Sequence, residues 1–358
     1  MIFSDKFFCG DSRVCTLRRH VPAPLFRHSF NIDKLPALLE VTVCGLGVYE
    51  LFVNGRRITK GYLAPYRSNP EHIVYYDNYD ITPYVGAGEN VVAIALGNGI
   101  MSSEMPVWGA DKYPWRGAPR FALAAEADGT LLFDGSAFVT SGGEVMFNDW
   151  HCTESIDARL VKEGWNDRGF DDSLWERVTP AQAPSGEKMI CAAEPVKAYD
   201  FKKPVKMWRG ERGYIFDFGI SGAGTYNLKI TGESGQRIEV YTSDCVIGGK
   251  KITNRNLYCW SLTDEMADKV QHDFLTLSGK PDEFEPRFTF RGFRYAEITG
   301  ITGEQAQSLE ITFILYSNSF ASAGLFECDN EEVNRLQECV LNSDRSNFIH
   351  FPLDCPQR

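Results

Sequence analysis

The sequence predicts a mainly β protein: two β-sandwich, jelly-roll-like domains followed by one amphipathic helix. Three observations carry that expectation. Apolar residues alternate with polar ones over short runs rich in aromatics and Thr. Gly or Pro interrupts the chain at short intervals, as it does where sandwich strands turn. Near Ser319 the apolar period changes from that of a strand to that of a helix.

Taken along the chain, Leu51-Phe52-Val53, Asn54-Gly55 and Arg56-Arg57-Ile58 read as a hairpin, because Asn-Gly accepts the positive φ angles of a tight turn. Val91 to Leu96 is continuously apolar and reads as a strand buried on both faces. From Trp165 to Trp175 aromatics alternate with turn formers. The Trp rings are expected to pack inward, with Asp171 or Asp172 capping a short turn. Ala181 to Pro195 lacks apolar periodicity and holds Pro184, Ser185 and Gly186, so it reads as a linker. Tyr226, Leu228 and Ile230, then Gly232 to Gly235, then Ile238 and Val240, read as a second hairpin. After Gly324, Asp329 is placed to cap a helix with Glu332 as its third-position partner, and Val333, Leu336 and Val340 recur at helical spacing. That helix is expected to run to about Ser343. A single helix cannot bury its own apolar stripe. The last forty residues therefore read as the beginning of a helical domain that this chain does not contain. The expected divisions are 1–190, 191–320 and 321–358.

Composition narrows the partners. Lys and Arg number 37 against 48 Asp and Glu, a net charge of −11, which argues against nucleic acid. No run of about 18 apolar residues is present, so no membrane span is expected. Asp5 falls where a signal peptide needs an apolar run. The ten cysteines show no Cys-x-x-Cys spacing, and the histidines do not cluster near them. Free thiols in this number suit a reducing compartment, so a cytoplasmic location is expected. Nearly all of them are expected to be small buried apolar groups.

Few motifs carry chemistry. Gly45-Leu46-Gly47 lacks the third glycine and the following helix of a dinucleotide loop. No Walker loop, nucleophile-elbow Ser, zincin His pair or EF-hand loop appears. His350 and Cys355 lie close together, but on an irregular tail, where burial is the plainer reading. Trp108, Tyr113 and Trp115 share a Gly/Pro-rich loop with Asp111, Lys112 and Arg116. Such aromatic faces suit the C–H-rich face of a sugar ring. The plainer alternative is that these rings close one end of a sandwich core. Asp354, Gln357 and Arg358 gather polar groups beside a Pro-flanked Cys; a carboxylate and an Arg fork bind vicinal hydroxyls well.

The end of the chain, Asp354-Cys355-Pro356-Gln357-Arg358 preceded by Asn347-Phe348, resembles the start of the catalytic domain of bacterial α-L-rhamnosidases, inverting glycoside hydrolases of family 78. Tyr49 to Arg56, Leu63-Ala64-Pro65, Tyr76 to Thr82, Gly88 to Val92, and Asp157 to Leu160 with Gly164 to Asn166 and Gly169 to Ser173 resemble the N-terminal sandwich of that family. Phe216 to Gly219 and Phe284 to Tyr295 resemble its second sandwich. The resemblance implies that residues 321–358 open a truncated (α/α)6 barrel and that the sandwiches pack against the missing (α/α)6 catalytic domain. It implies that Asp354 and Arg358 contact rhamnose. It places the general acid and the general base, both Glu, beyond Arg358, so no catalytic residue is expected here and this chain alone is expected to be inactive. It implies rhamnose-containing oligosaccharides or glycosides as substrate; the further candidate sugar contacts, Trp108 and Trp115, come from the aromatic loop itself. Some relatives carry a calcium-dependent rhamnose site in an accessory module. Calcium therefore stays open as a ligand of the N-terminal sandwich, although no Asp or Asn spacing here locates its ligands, and no other metal or cofactor is expected. The competing reading is a stand-alone carbohydrate-binding or scaffolding β-sandwich protein without catalysis.

Overall fold

The computed structural model describes residues 6–103, 112–150, 152–254 and 267–356. The chain divides into two compact units, 1–150 with 160–192, and 151–159 with 193–358.

In the first unit, alternating strands form two facing sheets. One runs in the order Thr179–Ala181, Phe7–Cys9, Arg120–Ala127, Leu39–Leu46, Ile73–Asp80, Glu187–Ile190. The other runs Glu176–Arg177, Val139–Gly142, Pro24–Ile32, Gly88–Gly97, Val48–Val53, Arg56–Arg57. Val41, Val43, Phe121 and Leu123 of the first sheet meet Phe26, Leu51, Ile94 and Leu96 of the second in one buried cluster. Phe26 packs on Phe121 with ring centroids 4.6 Å apart. Each such side chain, fully buried, contributes roughly 1.5–3 kcal/mol. This is the expected sandwich, and Val91 to Leu96 is buried on both faces as its composition predicted. The Asn54-Gly55 turn also forms, with φ of 49° and 78°, and sets Phe52 opposite Arg57.

The stretch expected to be a linker contains instead the strand Glu187–Ile190, which pairs in parallel with Ile73–Asp80. Backbone pairing there needs no apolar alternation, because three of its four side chains are exposed. Asp171 accepts from the Ser173 amide at 3.0 Å and so holds the turn. Asp172 instead pairs with the buried guanidinium of Arg27. Trp165 packs edge-on against Phe52 at 5.6 Å.

The second unit is built on one large curled sheet. Its order runs Glu154–Asp157, His272–Thr276, Arg237–Ser243, Arg291–Thr299, Tyr214–Thr231, Glu310–Asn318, Val196–Lys202. The long strand Tyr214–Thr231 shifts register between Asp217 and Gly222, and its two halves pair with different neighbours. Such an irregularity bends a strand and lets one sheet fold over its own core. Phe218, Phe293 and Phe313 meet inside, Phe293 and Phe313 at 3.9 Å. The second expected hairpin does not form. Tyr226–Ile230 and Ile238–Val240 are both strands, but the first pairs with Glu310–Asn318 and Pro281–Phe284 and the second with His272–Thr276 and Arg291–Thr299. The Gln236 side chain donates to the Gly300 carbonyl instead, at 2.8 Å.

The C-terminal helix spans Glu331–Ser346. Its cap is Asn330, not Asp329: the Asn330 side chain accepts from the amides of Glu332 and Val333. Glu332 is therefore one position too early to complete a capping box. The helix end approaches the sheet at Gly222, where an added Cβ would lie 3.6 Å from Ser346 Oγ and collide with Leu315. Arg345 lies 5.3 Å from the ring centroid of Tyr199. Val333, Leu336, Val340 and Leu341 are exposed, as are Leu325 and Phe326 before the helix. Leu336→Gln is accordingly expected to change stability by less than about 0.5 kcal/mol in urea unfolding. A loss above about 1 kcal/mol would show that the stripe is already packed.

All nine described cysteines are free. The expectation that nearly all are buried fails, since Cys245 and Cys339 are exposed and Cys191, Cys328 and Cys355 are half-buried. Both exposed thiols lie outside the strand interiors, one in a turn and one on the solvent side of the helix. Among the described residues, no helix is long and apolar enough to cross a membrane, and no group of three His, Cys, Asp or Glu is placed to hold a metal.

Candidate functional site

The tail after the helix is tied down by its own backbone and by contacts to Asn318 and Phe320. Phe348–Ile349 bridges Phe351–Pro352, and the Leu353 amide donates to the Asn347 carbonyl at 2.7 Å. Asn318, at the end of the strand Glu310–Asn318, accepts from the His350 amide at 2.7 Å. Phe348 packs edge-on against Phe320 at 4.8 Å, and Ile349 and His350 are buried. This brings Asp354 to the surface as an exposed carboxylate, with Cys355 half-buried beside it. Arg358 lies outside the described residues.

A second group of chemistry-bearing residues lies in the first unit. The loop ahead of the strand Arg120–Ala127 stacks Tyr113 on Trp115, with ring centroids 4.5 Å apart and planes 19° from parallel. The Arg116 amide donates to the Tyr113 carbonyl, closing a turn. Arg120 holds the loop from beneath. Its guanidinium donates to the carbonyls of Trp115, Ala118 and Gln182 at 3.2, 3.3 and 3.0 Å. Burial pulls its pKa down. Trp115, Arg116, Arg120 and Gln182, with Glu71 and Ser185, line a cleft of about 390 Å³. Trp115 thus stands in a cleft wall, half-buried, and not in the sandwich core. Trp108 lies outside the described residues.

Nothing in the local sequence pointed to Arg120 or Glu71. The only signal was an Arg opening the otherwise apolar run Phe121 to Ala125.

A third cluster, also missed, is buried in the second unit. Asp273 accepts from Arg291 Nη2 at 2.5 Å, from the Glu154 amide at 2.7 Å and from the Tyr226 hydroxyl at 2.8 Å. Glu154 Oε1 accepts from the Phe288 amide at 2.6 Å, while its Oε2 is buried with no hydrogen-bond partner among the described residues. Burial, and then the neighbouring Asp273 carboxylate, push Glu154 up to about 7, against the opposing pull of the Phe288 amide and Arg291. Glu154, Tyr226, Asp273 and Arg291 are all buried, so the cluster ties four strands of the second unit together.

Comparison with known proteins gives these positions a context. Residues 36–200 match the family model of the alpha-L-rhamnosidase N-terminal domain. Residues 209–315 match that of the bacterial alpha-L-rhamnosidase concanavalin-like domain, and 321–358 that of the bacterial alpha-L-rhamnosidase 6 hairpin glycosidase domain. An alpha-L-rhamnosidase of Formosa agariphila is 29% identical over 350 residues, covering 94% of this chain and 36% of the relative. One from Streptomyces avermitilis is 29% identical over 339 residues, covering 93% and 32%. The solved alpha-L-rhamnosidase from Dictyoglumus thermophilum superposes with a TM-score of 0.83 at 29% identity, over 99% of this chain and 40% of that one. The Streptomyces avermitilis enzyme complexed with L-rhamnose gives 0.83 at 27% identity, over 95% and 33%. The chain spans about a third of the length of these curated relatives.

Proposed function

We propose, from a chain that belongs to the bacterial α-L-rhamnosidase family, that the whole protein hydrolyses terminal α-L-rhamnosyl residues with inversion and that these residues form its β-rich, non-catalytic part. The observation that carries this reading is the helix Glu331–Ser346. It displays an exposed apolar stripe inside the segment that matches the six-hairpin glycosidase domain. A stand-alone sandwich module has no use for such a stripe, whereas a helical domain covers it.

Inverting hydrolysis needs a protonated carboxyl at the leaving oxygen and a carboxylate activating water on the opposite face, ~6.5–9.5 Å apart. In this reading neither lies within residues 1–358, and Asp354, with Arg358, binds rhamnose hydroxyls. In the first unit, the Tyr113–Trp115 pair and the cleft it borders face a saccharide. The free thiols support a reducing, cytoplasmic setting.

Assay of the 358-residue chain on an aryl α-L-rhamnoside is expected to give no turnover above buffer. Turnover well above that background would overturn the assignment of the acid and base to other residues. A protein extended through the whole six-hairpin domain that cleaves only other glycosides would overturn the substrate.

A further inference from the structure

The loop that leads to Asp354 closes on itself around one residue. Ile349 pairs with Phe351 across His350 alone. The Leu353 amide donates to the Asn347 carbonyl at 2.7 Å, so Asp354 follows directly on the closure. His350, at the tip, has a φ of 68°, in the left-handed region. A residue with a β-carbon enters that region at a cost and stays there only when its surroundings hold it. The two strands of the loop, Phe348–Ile349 and Phe351–Pro352, are too short to do so by their own pairing.

The hold comes from the end of the strand Glu310–Asn318. Asn318 is buried. Its Oδ1 accepts from the His350 amide at 2.7 Å, and its Nδ2 donates to the Glu194 carbonyl at 2.9 Å. The segment is fixed to the sheet on the Glu194 side as well. Val196 lies opposite Asn318, and the Ser319 amide donates to the Pro195 carbonyl at 3.0 Å. Two positions on, Phe320 packs against Phe348 in the first arm of the loop. Residues 318–320 thus join the tip and one arm of the loop to the edge of a rigid sheet. An amide side chain suits this place, since it offers an acceptor to the loop and a donor to the sheet edge in one planar group.

We propose that Asn318 is a positioning residue of the rhamnose site: by holding the His350 amide it sets the conformation of the loop and with it the place of the Asp354 carboxylate. This rests on the reading above that Asp354 binds rhamnose hydroxyls, and it adds the residue that aims it. Without Asn318 the buried His350 N–H loses its acceptor and the left-handed tip loses its support.

The test is a double-mutant cycle on the protein extended through the whole six-hairpin domain, read as kcat/KM on an aryl α-L-rhamnoside, with hydrogen exchange of residues 347–354 alongside. Asn318→Ala is expected to lower kcat/KM about ten-fold and to speed exchange in 347–354 by a similar factor, while exchange in the strand Tyr214–Thr231 stays unchanged and shows the sheet intact. Asn318→Asp keeps an acceptor for the His350 amide and is expected to restore most of both. In an Asp354→Ala background, Asn318→Ala is expected to lower kcat/KM by no more than about two-fold further, because the carboxylate it aims is gone. The full loss appearing again in that background would make the role merely structural and overturn the proposal. Exchange in 347–354 unchanged by Asn318→Ala would overturn it too. Asp354→Ala with kcat/KM intact would overturn the rhamnose-binding reading, while faster exchange in Asn318→Ala would still show that Asn318 holds the loop.

Discussion

Arg291→Met is expected to cost the second unit about 3–5 kcal/mol, the usual penalty for stranding one partner of a buried ion pair. Arg291 and Asp273 are 1% and 0% exposed, so water cannot replace the lost partner. Asp273 would keep the Tyr226 hydroxyl and the Glu154 amide, but no positive charge. Methionine fills much of the volume, which separates the electrostatic loss from a cavity. Because the chain holds two units, a single unfolding midpoint is not a clean measure. Hydrogen exchange in urea, read on peptides from the strand Tyr214–Thr231, reports on this unit alone. Asp273→Asn in the same background is expected to recover part of the loss, since it removes the stranded charge. A loss below about 1 kcal/mol in the single variant would show that the pair contributes little.

Glu154→Gln is expected to act in the opposite direction and only above mildly acidic pH. Glu154 ionises near 7 in the folded protein, against 4.5 when unperturbed. A raised folded value means that the native state holds the proton more tightly than the unfolded chain does. The stability this provides is fully present below about 4.5, is lost as pH rises towards 7, and stays lost above that. Across that window the wild type forfeits about 3 kcal/mol that a neutral side chain does not. Gln keeps an acceptor for the Phe288 amide and carries no charge to desolvate. The variant should therefore match the wild type at pH 4.5 and exceed it at pH 8, by exchange on the same strand. A constant difference at both pH values would show that Glu154 does not titrate in this window.

Much of the fold was legible because strand formation is written locally. The apolar run from Val91 to Leu96 dictates a strand buried on both faces, and Asn54-Gly55 dictates its turn wherever the flanking strands go. Pairing was less legible. Tyr226–Ile230 and Ile238–Val240 alternate as hairpin arms do, yet they pair with different strands and not with each other. Period-two alternation states that a strand has an inner face but not which strand lies beside it. The helix cap missed by one residue for a similar reason: Asp329 and Asn330 both carry capping side chains, and the backbone decides which one turns inward.

The candidate site divides along the same line. From residue types and order alone came the family, the mainly β architecture, the exposed helical stripe, and the aromatic loop that contains Trp115. Only the tertiary structure decided that Asp354 reaches the surface, that Arg120 is spent on backbone carbonyls, and that Glu154, Asp273 and Arg291 meet in one buried cluster. The physical reason is range. Propensity, alternation and turn chemistry act over a few neighbouring residues. Whether a buried charge finds its counter-charge depends on groups more than a hundred positions away, as Glu154 and Asp273 are.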